Sequence, residues 1–195
     1  TSALSVKKFI EDNINSITGT LYFWQHVDED DDTSTASSGH NFAGYIGGYA
    51  TRNISMGVAA NGTSLDSQGT SGTAGGSGYV APLPYVAIGQ GFFVSADSDG
   101  GNIVFNNSQR EFIAEDGVGT SVFFKGRNAS KVIEDSLPII KLGMDYKNEQ
   151  GLDFHRQIGI SFSETNTFGV DKGYDSEIYD MNTTDMYWKF SWQYS

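Results

Sequence analysis

Hydrophobic and polar residues alternate along most of this chain, and the alternation predicts β-strands. In residues 138–147, 153–163 and 186–194, hydrophobic side chains recur at every second position, so each segment has one hydrophobic face when extended. Residues 21–27 (LYFWQHV) follow the same period, although aromatic rings fall on both faces. Because Gly, Asn, Asp and Ser separate these segments, the pattern is typical of short strands joined by turns.

The strand and turn signals are strongest in residues 85–112, where they predict a β-hairpin. Residues 85–96 are β-branched, aromatic or small, and residues 101–107 alternate. Between them, residues 97–101 (DSDGG) combine Asp side chains that accept local backbone hydrogen bonds with glycines that adopt positive φ. We therefore expect a tight reversal between two paired strands.

One segment follows a helical period instead. Residues 5–17 predict a helix that Ser5 caps, because its hydrophobic residues lie on one helical face: Val6, Phe9, Ile10, Ile14 and Ile17. The sequence thus predicts an all-β fold, a β-sandwich or jelly-roll-like arrangement with one short N-terminal helix. A chain of 195 residues fits a single domain spanning residues 1–195.

Composition narrows the classes of partner. The net charge of −12 offers no basic patch for a nucleic-acid backbone or an anionic membrane surface. The chain has no Cys, which removes disulfides, thiolate metal sites and a Cys nucleophile. No hydrophobic run approaches the roughly 20 residues that span a bilayer. We expect no membrane insertion, no nucleic acid and a monomer.

Six segments of the chain carry a family resemblance: residues 2–26, 47–53, 82–96, 100–112, 154–177 and 185–191. Together they resemble a module of large secreted and surface proteins of Bacteroidota that use the type IX secretion route. The resemblance implies an extracellular or outer cell surface location and a non-catalytic β module without one agreed activity. It also implies a Gly-Asn-Pro-Tyr-Pro motif before Ser2, which this chain lacks, so we expect a piece excised from a larger protein.

Catalytic signals are weak. His26, His40 and His155 are far apart and lack a metal-ligand spacing such as HExxH. Residues 69–73 (GTSGT) miss the last glycine of a nucleophile elbow, and residues 89–91 (GQG) lack the third glycine of a dinucleotide fingerprint. Paired carboxylates for glycoside cleavage cannot be located from spacing alone. We predict that the protein is not an enzyme, and a polysaccharide-active enzyme ranks third among the hypotheses.

Two acidic clusters raise the possibility of structural calcium. Residues 28–32 (DEDDD) offer hard oxygen ligands, but Thr33 and Gly39 depart from the EF-hand pattern. The better candidate is a second cluster in a loop where backbone carbonyls can complete a shell, and a solvated acidic loop is the alternative. Its predicted ligands are Asp171, Asp175, Glu177 and Asp180.

Sugar binding is the leading functional hypothesis. A glycan site on a β module needs an aromatic face for the sugar ring and polar side chains for its hydroxyls. Tyr22, Trp24 and His26 share one face of a predicted strand, Tyr187 lies on the last one, and His155 and Arg156 can serve an acidic or sulfated sugar. We expect a polysaccharide or cell-surface glycan as ligand, in an adhesion or carbohydrate-binding module. Burial of these aromatics in the core, in a structural spacer or assembly module without a glycan ligand, is the main alternative.

Overall fold

Ten strands, one α-helix and one 3-10 turn form the regular structure of the residues described in this computed structural model, which are 2–26, 47–63, 81–113, 137–147 and 153–189. The 3-10 turn is Asn107–Gln109. In chain order the other elements are β1 (Ser2–Ser5), α1 (Val6–Asn13), β2 (Ile17–His26), β3 (Gly47–Arg52), β4 (Gly57–Val58), β5 (Gly62–Thr63), β6 (Tyr85–Val86), β7 (Phe93–Ala96), β8 (Arg110–Phe112), β9 (Ile139–Lys147) and β10 (Asp153–Ser161).

The described strands form three antiparallel sheets. Their orders are β6-β1-β8, β4-β3-β2-β7 and β5-β10-β9. The predicted all-β class with one short N-terminal helix is confirmed. Within the same residues, no helix has the length and hydrophobicity needed to cross a membrane.

The core lies between α1 and the inner face of β2. Val6, Phe9 and Ile10 line the inner side of the helix, and Leu21 and Phe23 face them from the strand. Period 3.6 on the helix and period 2 on the strand place these side chains together, and removing them from water stabilises the contact. The other face of β2, which carries Tyr22 and Trp24, points away from this core and is called the outer face below.

The helix is shorter than the predicted range of residues 5–17, and it ends at Asn13. The buried Asn13 amide donates to the carbonyls of Phe9 (2.8 Å) and Val104 (3.0 Å), and its Oδ1 accepts from the amide of Val104 (2.6 Å). Ser5 occupies the N-cap position without a side-chain cap bond, and as the last residue of β1 it pairs with Tyr85 of β6. Tertiary contacts therefore set both helix ends.

The predicted hairpin over residues 85–112 is wrong, although its turn is present. The amide of Gly100 donates to Asp97 O (2.9 Å), and Gly100 and Gly101 have φ of 64° and 144°. The flanking segments do not pair with each other, because β7 pairs with β2, β6 pairs with β1, and residues 101–106 form no strand. Asn13 supplies the partner for Val104 that a second hairpin strand would have supplied.

The other predicted strands have mixed outcomes. β9 and β10 confirm the segments 138–147 and 153–163, and they pair from Asp153 with Lys147 to Ser161 with Ile139. Residues 186–189 are not a strand, since Trp188 instead donates its Nε1–H to Gly159 O (3.0 Å). The remainder of the predicted last strand and the predicted strand at residues 121–127 lie outside the described residues.

Candidate functional site

Residues 171–185, called the strap below, run across the outer face of β2. The strap approaches β2 where Gly173 meets Gly19, so closely that a Cβ on Gly19 would lie 2.3 Å from Gly173 N. Both glycines have positive φ, a conformation in which other residues are strained. Farther along, Thr20 Oγ1 lies 3.0 Å from Ser176 Oγ, and Tyr22 OH donates to Glu177 O (3.3 Å).

The strap covers one of the two aromatic residues that were predicted to share a sugar-binding face and leaves the other exposed. Tyr22 is only 3% exposed because the ring of Tyr179 covers it, with the ring centroids 5.0 Å apart. This burial raises the pKa of Tyr22. Trp24 lies farther along the same face and is 46% exposed. The face was predicted correctly, but only Trp24 of these two residues can present its ring to a ligand.

Two further rings lie beside Trp24. Tyr49 on β3 is its cross-strand neighbour, with ring centroids 5.1 Å apart, and Phe93 on β7 follows at 6.0 Å from Tyr49. Both contacts are edge-to-face, and Phe93 is 60% exposed. Trp24, Tyr49 and Phe93, with Tyr179 beside them, are called the aromatic face below. Sequence reasoning missed Tyr49 and Phe93 because the pairing of β2 with β3 and β7 brings them to this face, and it missed Tyr179 because the path of the strap does so.

The polar groups at the border of the aromatic face come mainly from the strap. Tyr179 OH lies 2.8 Å from Ser95 Oγ and 2.9 Å from Glu177 Oε2. The backbone amide of Tyr49 donates to Asp180 Oδ2 (3.1 Å). Hydroxyl and carboxylate groups next to half-exposed rings give this region the mixture of apolar and hydrogen-bonding surface that ligand sites use.

Arg156, predicted to contact an acidic sugar, is instead buried in an ion-pair network. Its Nε and Nη2 donate to the two carboxylate oxygens of Asp185, both at 2.7 Å, and its Nη1 donates to Asp180 Oδ1 (3.1 Å). Burial alone would lower the pKa of Arg156, but these carboxylates raise it above its ordinary value. The guanidinium holds the strap to β10 and is not exposed to a ligand.

The remaining predicted sugar-binding residues lie apart from one another. His155 is buried on β10, where its Nδ1 lies 2.7 Å from Asp145 Oδ1 and its ring packs against Gly143. Tyr187 is exposed in the segment after the strap. His26 ends β2, and its side chain lies outside the described part of the structure. None of the three joins the aromatic face through a contact among the described residues.

The carboxylates of the four predicted calcium ligands are already hydrogen-bonded within the protein. Asp171 accepts from Thr167 N (2.7 Å) and Oγ1 (2.8 Å), and Asp175 Oδ2 accepts from the amide of Asp171 (2.7 Å). Burial, with a smaller contribution from the charge of Asp171, raises the pKa of Asp175. Glu177 and Asp180 make the contacts given above. Among the described residues, no three His, Asp or Glu side chains are grouped to hold a metal ion. The acidic residues 28–32 lie outside those residues, and calcium stays a prediction.

A cleft of about 590 Å³ lies elsewhere, on the β6-β1-β8 sheet. Its walls are mostly apolar, and its polar side chains include Asn106 and Gln109. These two amides form a capping box around the 3-10 turn, and both donate to Asp12 Oδ2. These two amide side chains are therefore already hydrogen-bonded within the fold.

The fold and the site define an all-β domain with one short helix, in which a strap borders a half-exposed aromatic sheet face. The chain belongs to the family described as Domain of unknown function (DUF8693), which matches residues 1–193. No curated protein and no solved structure shows significant similarity to it.

Proposed function

We propose that this chain is a non-catalytic carbohydrate-binding or adhesion module that binds glycans at its aromatic face. The observation that carries the proposal is the contiguous set of Trp24, Tyr49 and Phe93 on three adjacent strands. Sugar rings have apolar C–H faces that pack against aromatic rings, while their hydroxyls need hydrogen-bonding partners nearby. Tyr179 OH, Ser95 and Glu177 supply such partners at the border.

The geometry favours a polymer over a small buried ligand. Phe93 and Trp24 are exposed on a sheet surface, and the three rings extend across β7, β2 and β3. Neighbouring ring centroids are 5.1 Å and 6.0 Å apart, so the rings form one continuous open patch and not an enclosed pocket. A chain of sugars can therefore contact more than one ring at once.

The proposed location is extracellular or on the outer cell surface, within a larger secreted protein. It rests on the resemblance to modules of secreted Bacteroidota proteins. A surface location places the aromatic face where polysaccharides and cell-surface glycans are accessible.

The test is retention on a panel of insoluble polysaccharides and immobilised oligosaccharides, measured with and without calcium. We expect Trp24→Ala to weaken binding at least about tenfold, because it removes the indole from the centre of the contact. Phe168→Ala is the matched control, since Phe168 is fully exposed in the loop before the strap and should leave binding unchanged. Circular dichroism and the urea midpoint establish that both variants fold.

Failure of the unmodified protein to bind any glycan would refute the proposal and leave the structural spacer or assembly module. Equal losses in the Trp24 and Phe168 variants would show that binding does not depend on the aromatic face. Release of reducing ends from any polysaccharide would contradict the non-catalytic assignment.

A further inference from the structure

We infer that the ligand of the aromatic face is an uncharged polysaccharide and that uronate and sulfated glycans are excluded. The inference rests on the proposed function and adds the chemical class of the ligand. It is carried by the carboxylates that border the rings and by the ion pairs that already engage the basic side chains in contact with the strap.

The border of the aromatic face is acidic. Glu177 is exposed and touches Tyr179 through its Oε2, and Asp180 contacts the backbone of Tyr49. The strap has five acidic residues and one basic residue, and the whole chain carries a net charge of −12. Asp180 is offset by its ion pair with Arg156, so among the described residues the negative charge that an anionic sugar meets at the rings is that of Glu177.

Within the part of the chain that the structure describes, the basic side chains in contact with the strap are already ion-paired. Arg156 is bound by Asp180 and Asp185, and its side chain is 5% exposed. Lys172, the single basic residue of the strap, pairs with Asp97. Redirecting either cation to a carboxylate or sulfate on a sugar would break an existing ion pair, and for Arg156 it would leave buried carboxylates without their counter-ion.

An uncharged sugar avoids this repulsion and can use the same carboxylates as hydrogen-bond acceptors. Glu177 accepts hydrogen bonds from hydroxyl groups, as it already does from Tyr179 OH. A ligand carboxylate at about 7 Å from one such group in partly aqueous surroundings loses affinity on the order of tenfold. The charge of the border therefore acts as a selectivity filter, with Glu177 as the specificity-determining residue.

The experiment compares matched ligands in the presence of EDTA, so that no divalent cation bridges the charges. The probes are neutral oligosaccharides of the β-glucan, mannan, xylan and galactan types, and the hexose-based probes are also oxidised at C6 to the carboxylate. At about 0.02 M salt we expect the oxidised forms to bind at least about tenfold more weakly. At about 0.5 M salt the difference should shrink, because the screening length falls to a few ångströms.

Glu177→Gln keeps an oxygen that accepts from Tyr179 and removes the charge. We expect it to narrow the difference between neutral and oxidised probes at low salt by strengthening the binding of the oxidised probes, whereas neutral probes bind somewhat more weakly because an amide oxygen accepts a weaker hydrogen bond than a carboxylate does. Glu11→Gln removes the same charge from the exposed side of α1, across the core from the outer face, and should leave the difference unchanged.

The outcomes separate the two claims. Equal or tighter binding of the oxidised probes, still lost in Trp24→Ala, would overturn the inference and leave the proposed function in place. The inference is also overturned, with the proposed function left in place, if Glu177→Gln and Glu11→Gln change the affinity difference between neutral and oxidised probes equally. Absence of binding to every neutral and oxidised probe refutes the proposed function and the inference together.

Discussion

Removal of one partner of the ion pair between Arg156 and Asp185 should be among the most destabilising single substitutions in this domain. The two side chains are 5% and 3% exposed, and two parallel hydrogen bonds of 2.7 Å join them. Asp185 also accepts from the amides of Asn182 (3.0 Å) and Met186 (2.8 Å). Asp185→Ala therefore removes the acceptor of four hydrogen bonds and leaves Arg156 with Asp180 as its remaining carboxylate partner.

The expected cost is about 3–5 kcal/mol of unfolding free energy, the usual penalty for removing one partner of a buried pair. Most of that penalty comes from the guanidinium that stays behind in a poorly solvated site. The Asp180 contact offsets part of it, so the lower half of the range applies if the strap shifts toward Arg156. For a domain of this size, the loss corresponds to a decrease in Tm of roughly 6–20 °C.

Urea unfolding followed by tryptophan fluorescence measures the change in unfolding free energy. Unchanged m-values would show that the variant and the unmodified protein expose the same surface area on unfolding. Glu11→Gln is the matched control, because its pair with Lys7 is exposed and spans 3.8 Å. Such pairs contribute less than about 1 kcal/mol. A loss below about 1 kcal/mol in Asp185→Ala would refute the view that this network holds the strap to β10.

Two further predictions concern the same region. Burial alone would raise the pKa of Asp185, but the hydrogen bonds from Arg156 and the backbone amides hold it below the ordinary 3.8. The stability that this lowered pKa contributes is therefore present near neutral pH and is lost as the pH falls below about 4. The urea midpoint of the unmodified protein should decrease over that range, and the decrease should be smaller in Asp185→Asn. Gly19→Ala places a Cβ 2.3 Å from Gly173 N at a φ of +91° and should cost more than about 2 kcal/mol, whereas Gly91→Ala, with open space around it, should cost little in the same urea assay.

Local periodicity was sufficient to predict elements whose partners are close in sequence. β9 and β10 are neighbours along the chain and in the sheet, and their alternation gave both strands nearly to their observed ends. The hydrophobic side of α1 was also predicted, since Val6, Phe9 and Ile10 are buried. In these elements the period that identifies the structure also identifies the buried face.

The hairpin over residues 85–112 failed because its strands find partners elsewhere in the chain. β7 completes the edge of the sheet beside β2, and Asn13 binds the backbone of Val104. Strand propensity states that a segment is extended, but it does not state which strand it pairs with. The turn at residues 97–101 was predictable because its chemistry is local.

The candidate site shows the same division between local and distant information. Alternation correctly placed Trp24 on one face of β2, yet the exposure of that face depends on the strap, whose residues lie about 150 positions later in the chain. Arg156 resembled a free donor in the sequence because its two carboxylate partners follow it at separations of 24 and 29 residues without a recognisable motif. Burial and ion pairing of this kind are properties of the tertiary structure.

One segment links the stability of the domain to the proposed ligand selectivity. The strap buries Tyr22 and leaves Trp24 open, so its path sets the extent of the aromatic face. It also brings Glu177 and Asp180 to the border, and its attachment depends on Arg156. A buried ion pair adds less net stability than its Coulomb attraction suggests. Any other conformation of the strap that leaves the guanidinium buried and unpaired is nevertheless strongly destabilised. Because Asp180 contacts both Arg156 and the backbone amide of Tyr49, the charges that hold the strap are bonded directly to the strand that carries one ring of the aromatic face.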